Sequence, residues 1–566
     1  MDYLADITDQ LTLKHLFFVA CGAAVFQLRH KIYRPIRNWR SPLRHLQGPE
    51  SESLVFGHLW YLQEAQTGDV WERWIEKYGK TFRWRRFFGA YQLCTIDMRA
   101  INYIMSRDTT FPKSKRFRVG LSRVLGEGTK MAYVHDLRDL SLKCGTEGLL
   151  TADPQAHKRQ RRIMNPAFNV PHIRNLVPIF WAKSNQLRDM WLETLRDKPE
   201  GETIDVLLGL TCAALDIIGI AGFGYEFHSL EGTDEDELAK AFMGVFNSNE
   251  ERPSMVVALF MMLCNRLGIP TKISRRMKAN LATIRRIGTG IVNDKKMVLQ
   301  ESGGDEESHG RDLLTLLIKS NISPDVERDQ AMSDEEILGQ ISTFLAAGHE
   351  TTSSTVSWAL YALTKHPEIQ TKLRQELWST GLGDEPSMED LDKIPYLNNF
   401  VREVLRVYAV VPLTARDTDS DIVVPVGESY TDIHGTVQHG IRLQKGDSIA
   451  IPVLAMNRAK DVWGEDALDF RPERWDNLPE AVKDMPGVWS HLMTFIHGSN
   501  ACIGYRFAVI EMKALLYSLI RAFEFDIDPS LEIVGKVSLV SRPCVKGDSD
   551  SVNKMPLICK AVVRRV

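Results

Sequence analysis

The stretch between Ser333 and Pro367 limits the fold of this chain more than any other. Ser333 followed three residues later by Glu336 forms a capping box, in which each side chain satisfies a backbone N–H that the first helical turn leaves without a partner. Ile337, Leu338, Ile341, Phe344 and Leu345 then recur at helical spacing, and nothing breaks the pattern until His366-Pro367. A proline removes a backbone donor and biases the residue before it away from helix. The spacing predicts a helix of about 32 residues, about 50 Å long at roughly 1.5 Å per residue. Few globular folds contain a central helix of that length, and helical patterning is dense through the second half of the chain.

At roughly 100–200 residues per domain, 566 residues would suggest several domains. From about residue 50 onward, however, no second linker, repeat or low-complexity tract interrupts the sequence, and only residues 301–310 (ESGGDEESHG) read as a solvated loop. We therefore expect one body over residues 51–566. Apolar residues make up 44% and charged residues 25%, which excludes a disordered or collagen-like chain. Lys plus Arg is 70 and Asp plus Glu 73, a net charge of −3. That balance gives no bulk positive field for nucleic acid and points to a small-molecule partner. Eight cysteines without a C-x-x-C or a Cys/His cluster argue against a disulfide framework or a zinc site.

Residues 16–26 (LFFVACGAAVF) are an unbroken apolar run. Tolerating Lys14, His15 and Gln27 extends it to about 18 residues, 11–28, the short limit of a bilayer span of roughly 17–25. Asp2, Asp6 and Asp9 precede it; Arg29, Lys31, Arg34, Arg37, Arg40 and Arg44 follow. The positive-inside rule then puts the rest of the chain in the cytosol. A cleaved signal carries its positive charge before the apolar run, so residues 1–28 read as a membrane anchor, with a peripheral helix as the alternative. Pro35, Pro42 and Pro49 make residues 29–50 a basic, semi-rigid hinge.

Residues 495–504 read F-I-H-G-S-N-A-C-I-G. The glycines let the backbone bend tightly and approach a flat ligand. The helix-compatible segment after Gly504 would aim its free N–H groups at Cys502 and favour a thiolate able to ligate iron. The alternative is a buried structural cysteine after a glycine turn. Here the chain resembles the cytochrome P450 family, whose haem loop reads F-x-x-G-x-R-x-C-x-G. Phe495, Gly498, Cys502 and Gly504 match, and Asn500 stands where the family usually has Arg. The resemblance implies that Cys502 is the axial thiolate of a haem iron and that the loop lies against the haem. It also implies that one charged propionate contact is missing.

Three further segments are similar to family motifs. Ala347-Gly348-His349-Glu350-Thr351-Thr352, inside the long helix, resembles (A/G)-G-x-(D/E)-T-(T/S). Gly348 weakens the helix and Thr351 can bond a carbonyl one turn back, so we expect a groove opened for O2 and a water. The resemblance implies that Thr351 steadies activated oxygen and that Glu350 helps relay protons. A Thr-rich helix with an exposed Glu is the bland alternative. Glu403 and Arg406 match E-x-x-R, and residues 470–475 (FRPERW) resemble the P-E-R-F segment with Trp475 for Phe. These imply a structural triad of Glu403, Arg406 and Arg474. His157 and Arg161 resemble the W-x-x-x-R helix with His for Trp, implying a propionate role for Arg161 and, with Asn500 uncharged, for His157.

From about residue 45 onward the resemblance is to fungal members above all. It implies a mainly α, helix-rich triangular body with small β-sheets, haem between the long helix and the Cys loop, and a single-pass anchor in the endoplasmic reticulum membrane. The implied activity is a monooxygenase that inserts one oxygen atom of O2 into a hydrophobic small molecule. Its electrons would come from NADPH through a separate flavoprotein reductase that docks near Lys158 and Arg159. Phe344, Leu345, Val411, Leu413, Leu539 and Val540 are candidate substrate contacts or ordinary core, and a secondary metabolite such as a terpenoid is the expected substrate class. A haem-thiolate isomerase or dehydratase, and a non-catalytic haem-binding membrane protein, are the alternatives; Glu350-Thr351 argues against the first.

One segment departs from the family. Gly126-Glu127-Gly128 is followed by 20 residues, 129–148, before Leu149-Leu150-Thr151-Ala152, where members of this type run directly from one motif to the other. The segment ends in T-E-G much as the preceding one ends in G-E-G. We read it as a retained intron, with a genuine loop near the substrate entrance as the alternative.

Overall fold

The capping box starts the helix it predicts. In the computed structural model Ser333 Oγ accepts from Glu336 N (3.2 Å) while Glu336 Oε2 accepts from Ser333 N (2.9 Å), and the helix Asp334–Lys365 runs 32 residues to His366. The structure describes residues 40–51, 53, 55–64, 68–115, 117–118, 148–232, 236–246, 272–301, 312–323, 330–537, 540–548 and 553–562. The expected membrane anchor (1–28), residues 29–39 of the hinge, the polar stretch 302–310 and all of the departing segment except Gly148 lie outside them.

The central helix is buried on several faces, although its middle is rich in Ser and Thr. Four of those hydroxyls are satisfied within the helix: Thr343 donates to Gly339 O (2.8 Å), Thr351 to Ala347 O (2.6 Å), Thr355 to Thr351 O and Ser357 to Ser353 O (both 2.7 Å). Back-bonding of this kind lets a polar helix enter a core without orphaned donors. Its largest neighbour is the helix Val206–Phe223, apolar enough to cross a membrane at mean hydropathy 2.1, yet 83% buried inside the protein. A helix apolar all round is what an interior position between other helices requires. The helices Val170–Leu195 and Tyr505–Ala522 pack together through the edge contacts Phe180–Phe507 and Trp181–Tyr517.

The sheets are small. Thr81–Arg85, Tyr91–Thr95, Ser448–Ile451 and Thr414–Asp417 make a four-stranded sheet in that order, antiparallel except between the middle pair. Three antiparallel strands, Glu202–Asp205, Pro556–Ala561 and Phe523–Asp526, tie the C-terminal region to the helices. Two hairpins complete the set, Ile422–Thr431 with Val437–Leu443 and Ile533–Val537 with Ser541–Val545.

The segment leading to the Cys loop hangs on the expected triad. Glu403 accepts from Arg406 Nε (2.9 Å) and Nη2 (2.8 Å) and from Arg474 Nε (3.4 Å), all three side chains being buried. Trp475, which stands where the family motif has Phe, adds an indole N–H to Glu403 Oε2 (3.0 Å). Arg406 also donates to Asn457 O (3.1 Å), while the Asn457 side chain holds Met493 N (3.1 Å) and Thr494 Oγ1 (2.8 Å). The carboxylate thus fixes the backbone two residues ahead of Phe495.

One expectation changes, and the departing segment proves to have a packed end. Gly348 does not open a groove, because the helix continues unbroken through it. A Cβ there would lie 2.8 Å from Ile218 Cγ1, so glycine is needed for close approach of two helices. Gly148 closes the departing segment as a packed residue: its Cβ would fall 2.2 Å from Thr343 Oγ1 and 2.4 Å from Gly339 O.

Candidate active site

The Cys loop is built from tight turns that admit few alternatives. Ile496 and Gly498 have φ of 63° and 76°, and a side chain at Gly498 would strike Met105 O at 2.2 Å. Cys502 N donates to Phe495 O (2.8 Å) and Ala501 N to Gly498 O (3.0 Å). Phe495 is buried between Trp489 and Tyr505, and Gly504 is the cap of the helix Tyr505–Ala522. His497 and Ser499 bond Asn102 Oδ1 (3.0 Å) and Asp108 Oδ2 (2.9 Å). Asn500 makes only a 3.4 Å contact with its neighbour Ser499.

The helix terminus does not by itself yield a thiolate. Burial pushes the Cys502 thiol up, and the Gly504 N–H and the Arg161 charge pull against it without prevailing. A bound metal ion would decide the matter, since a coordinating thiol is deprotonated outright.

Arg161 reaches this loop: its Nη1 donates to Ala501 O and its Nε to Asn165 Oδ1 (3.0 Å). One turn earlier His157 is buried, and its pKa falls to about 3 through burial and then the charges of Lys113, Arg161 and Arg416. Burial and those charges favour its neutral form, in which the ring can still donate an N–H. Lys113 and Arg416, which the sequence reading missed, complete the cluster. Lys113 is driven down to about 7 by burial, then by Arg416, Arg118 and Arg161, and Arg416 to about 10, chiefly by burial. The hydrogen bonds of Lys113, Arg161 and Arg416 go to neutral oxygens: Leu149 O (2.9 Å) and Leu150 O (3.3 Å) for Lys113, Thr414 Oγ1 (3.1 Å) and Ala415 O (2.9 Å) for Arg416.

Crowded cations this little exposed, whose hydrogen bonds go to neutral oxygens, are costly and suit an anionic ligand. A haem, with two propionates on a flat ring, fits a cradle of three cations beside a cysteine loop whose backbone no side chain could occupy. A signal for Arg416 exists in the strand Thr414–Asp417, whose buried phase falls on Thr414 and Arg416; a polar phase facing a core is anomalous.

Glu350 and Thr351 are adjacent in sequence but differently placed. The Thr351 hydroxyl donates to Ala347 O on the more exposed side of the helix. Glu350 is buried, contrary to the bland alternative, and forms an ion pair with Arg542. Burial raises its carboxyl to about 7 against the pull of Arg542. Of the candidate substrate contacts, Phe344 packs against Phe168 and Phe223 as core, Leu345 and Val540 are buried, and Val411 and Leu413 are partly exposed; Leu539 lies outside the described residues. Lys158 is exposed, whereas Arg159 is engaged with Glu336.

Comparison with known proteins agrees with this geometry. The family model for cytochrome P450 matches residues 47–537. Cytochrome P450 monooxygenase 205 of Postia placenta is 42% identical over 526 residues, covering 92% of this chain and 93% of that protein. Cytochrome P450 monooxygenase 128 of the same fungus is 41% identical, with 93% and 94% covered. Cytochrome P450 monooxygenase claW of Ampulloclitocybe clavipes is 31% identical, with 94% and 95% covered. With the cysteine loop, the Glu403 triad and the long helix in place, this chain belongs to the cytochrome P450 monooxygenase family, whose members are haem-thiolate enzymes.

Proposed function

We propose that this chain inserts one oxygen atom from O2 into a hydrophobic small molecule of secondary metabolism, a terpenoid being the class suggested by the sequence. The observation that carries the reading is the group of cations beside the Cys502 loop, Arg416 buried and Lys113 and Arg161 partly buried, whose hydrogen bonds among the described residues go to neutral oxygens. Cys502 Sγ would take the iron, and the three cations would hold the propionates. His157 would donate a neutral N–H, and Gly498 keeps the loop backbone tight against Met105. Bound in this way, haem supplies thiolate-assisted O–O cleavage.

The protein's own part is proton handling and the exclusion of water. The Thr351 hydroxyl, now spent on Ala347 O, can turn to donate toward the cofactor side. Glu350, with a pKa near neutrality, is suited to give and regain a proton, because general acids work best when their pKa lies near the operating pH. Electrons would arrive from NADPH through a separate flavoprotein reductase, with Lys158 on the docking surface and Arg159 joining only if it leaves Glu336. Residues 11–28 would anchor the enzyme in the endoplasmic reticulum membrane with the body in the cytosol.

The test is the carbon monoxide difference spectrum of the reduced, purified protein. The red-shifted Soret band that gives the family its name is expected, and its absence, together with loss of haem on dilution, would remove the reading. Extracts supplied with NADPH and reductase should then yield a product containing one atom of labelled O2.

A further inference from the structure

Arg542 lies almost 200 residues from the central helix in sequence, and no motif ties it to the chemistry. Its guanidinium Nη2 nevertheless pairs with Glu350 Oε1, and the two side chains are only 8% and 1% exposed. The second oxygen, Glu350 Oε2, is buried and has no hydrogen-bond partner among the described residues. One oxygen is thus held while the other stays available to a proton or a water. The strand that carries Arg542, Ser541–Val545, is fixed at its start on both sides. Ser541 N donates to Val410 O (2.7 Å), and Ser541 O accepts from Trp358 Nε1 (3.3 Å). Trp358 lies on the central helix and stacks on Tyr408 at 5.3 Å.

We propose that Arg542 is a positioning residue for proton delivery: it fixes the orientation of Glu350 and sets the pH at which that carboxyl exchanges its proton. The proposal rests on the relay role assigned to Glu350 above. A carboxyl this deeply buried would otherwise favour its neutral form, and a neutral acid that cannot be re-ionised cannot cycle. Arg542 opposes burial without overwhelming it. The other ionisable groups around this position supply no competing charge of that kind. His349, on the same helix, is held to about 4 by burial. Glu511, from the helix after Cys502, bonds Thr352 (3.0 Å) and is raised by burial to about 8.

The full-length holoenzyme and its Arg542→Gln, Arg542→Lys, Glu350→Gln and doubly substituted Arg542→Gln/Glu350→Gln variants test this without a known substrate. Two readouts suffice: the infrared carboxyl band that Glu350→Gln abolishes, titrated in the resting protein, and the rate of oxidation of the reduced enzyme by O2 across pH in H2O and D2O. In the parent the band should titrate near pH 7. In Arg542→Gln its midpoint should rise by about 1–3 units, the effect of losing one close opposite charge, with the rate profile moving equally. Arg542→Lys should lie between, because a point charge replaces the planar fork. The double variant should show the pH response of Glu350→Gln alone. An unmoved midpoint in Arg542→Gln overturns the proposal, as does a shift that persists in the double variant. If Arg542→Gln does not fold, Arg542→Lys decides by the presence or absence of its smaller upward shift. If Glu350→Gln keeps the parent rate profile, the relay reading fails and the proposal with it. If Glu350→Gln flattens the profile while Arg542→Gln leaves it in place, the proposal alone fails.

Discussion

Lys113 and Arg161 face the same problem, a largely desolvated positive charge whose hydrogen bonds end on carbonyls. For Lys113 the consequence is measurable. Its pKa in the folded protein, about 7, lies below the ordinary lysine value of 10.5. Below pH 7 both folded and unfolded chains carry the proton and the folded one bears the full penalty. Between roughly 7 and 10.5 the unfolded chain binds more protons, so the stability of haem-free protein should rise with pH. Two propionates would oppose this by raising the Lys113 pKa, so haem loading at pH 8 to 9 should let Lys113 take up a proton while Cys502 gives one up on ligation, a net change near zero. Dye-indicator measurements in weak buffer check this: Lys113→Met should turn the balance into a net release of about one proton. For Arg161, replacement by Ala should lower haem content after purification, read from the ratio of Soret to protein absorbance; full retention would leave Lys113 and Arg416 as the sufficient cradle. Cys502, Phe495, Gly498 and Gly504 were legible because loop chemistry is local. Lys113, Arg416 and Arg542 were not, because their partners come from other segments.

Among the elements, the central helix was the most legible, since both ends and the apolar stripe are written in consecutive residues. What the sequence misstated was the reason for Gly348. Replacing it with Ala adds about 1 kcal/mol of helix propensity, but the new methyl meets Ile218 at 2.8 Å, and overpacking costs roughly 1–3 kcal/mol. Gly348→Ala should therefore be neutral to destabilising by denaturant unfolding. Measured against Ile218→Ala alone, which removes the Cγ1 and Cδ1 atoms that the methyl would meet, the Gly348→Ala step should turn neutral or stabilising; the same loss in both backgrounds would refute the close-approach reading. The Glu403 triad behaves differently. Glu403→Gln would leave Arg406 and Arg474 buried without their carboxylate, at a cost of about 3–5 kcal/mol, much of a typical total stability of roughly 5–15. We expect a large fall in urea midpoint and poor recovery of folded protein.

At the scale of the whole molecule, one connected set of buried apolar side chains extends from Leu43 to Cys559, and the departing segment meets it at Gly148. Removing residues 129–148 would bring Gly128 directly before Leu149, again placing a glycine against Gly339 and Thr343. The deletion should therefore keep haem content and change stability by less than about 1 kcal/mol, loop length being a weak term. Loss of haem or of the reduced carbon monoxide spectrum in the deletion variant would show that the segment is a working loop. By itself the sequence determined the central helix, the cysteine loop and the Glu403–Arg406 pair, because capping, glycine turns and helical spacing act over a few residues. Only the tertiary structure decided that Gly348 serves a helix contact, that His157, Lys113 and Arg416 gather near Arg161 and that Arg542 holds Glu350. Each of those depends on burial and on charges brought together from distant segments, and neither is a property of any short stretch of chain.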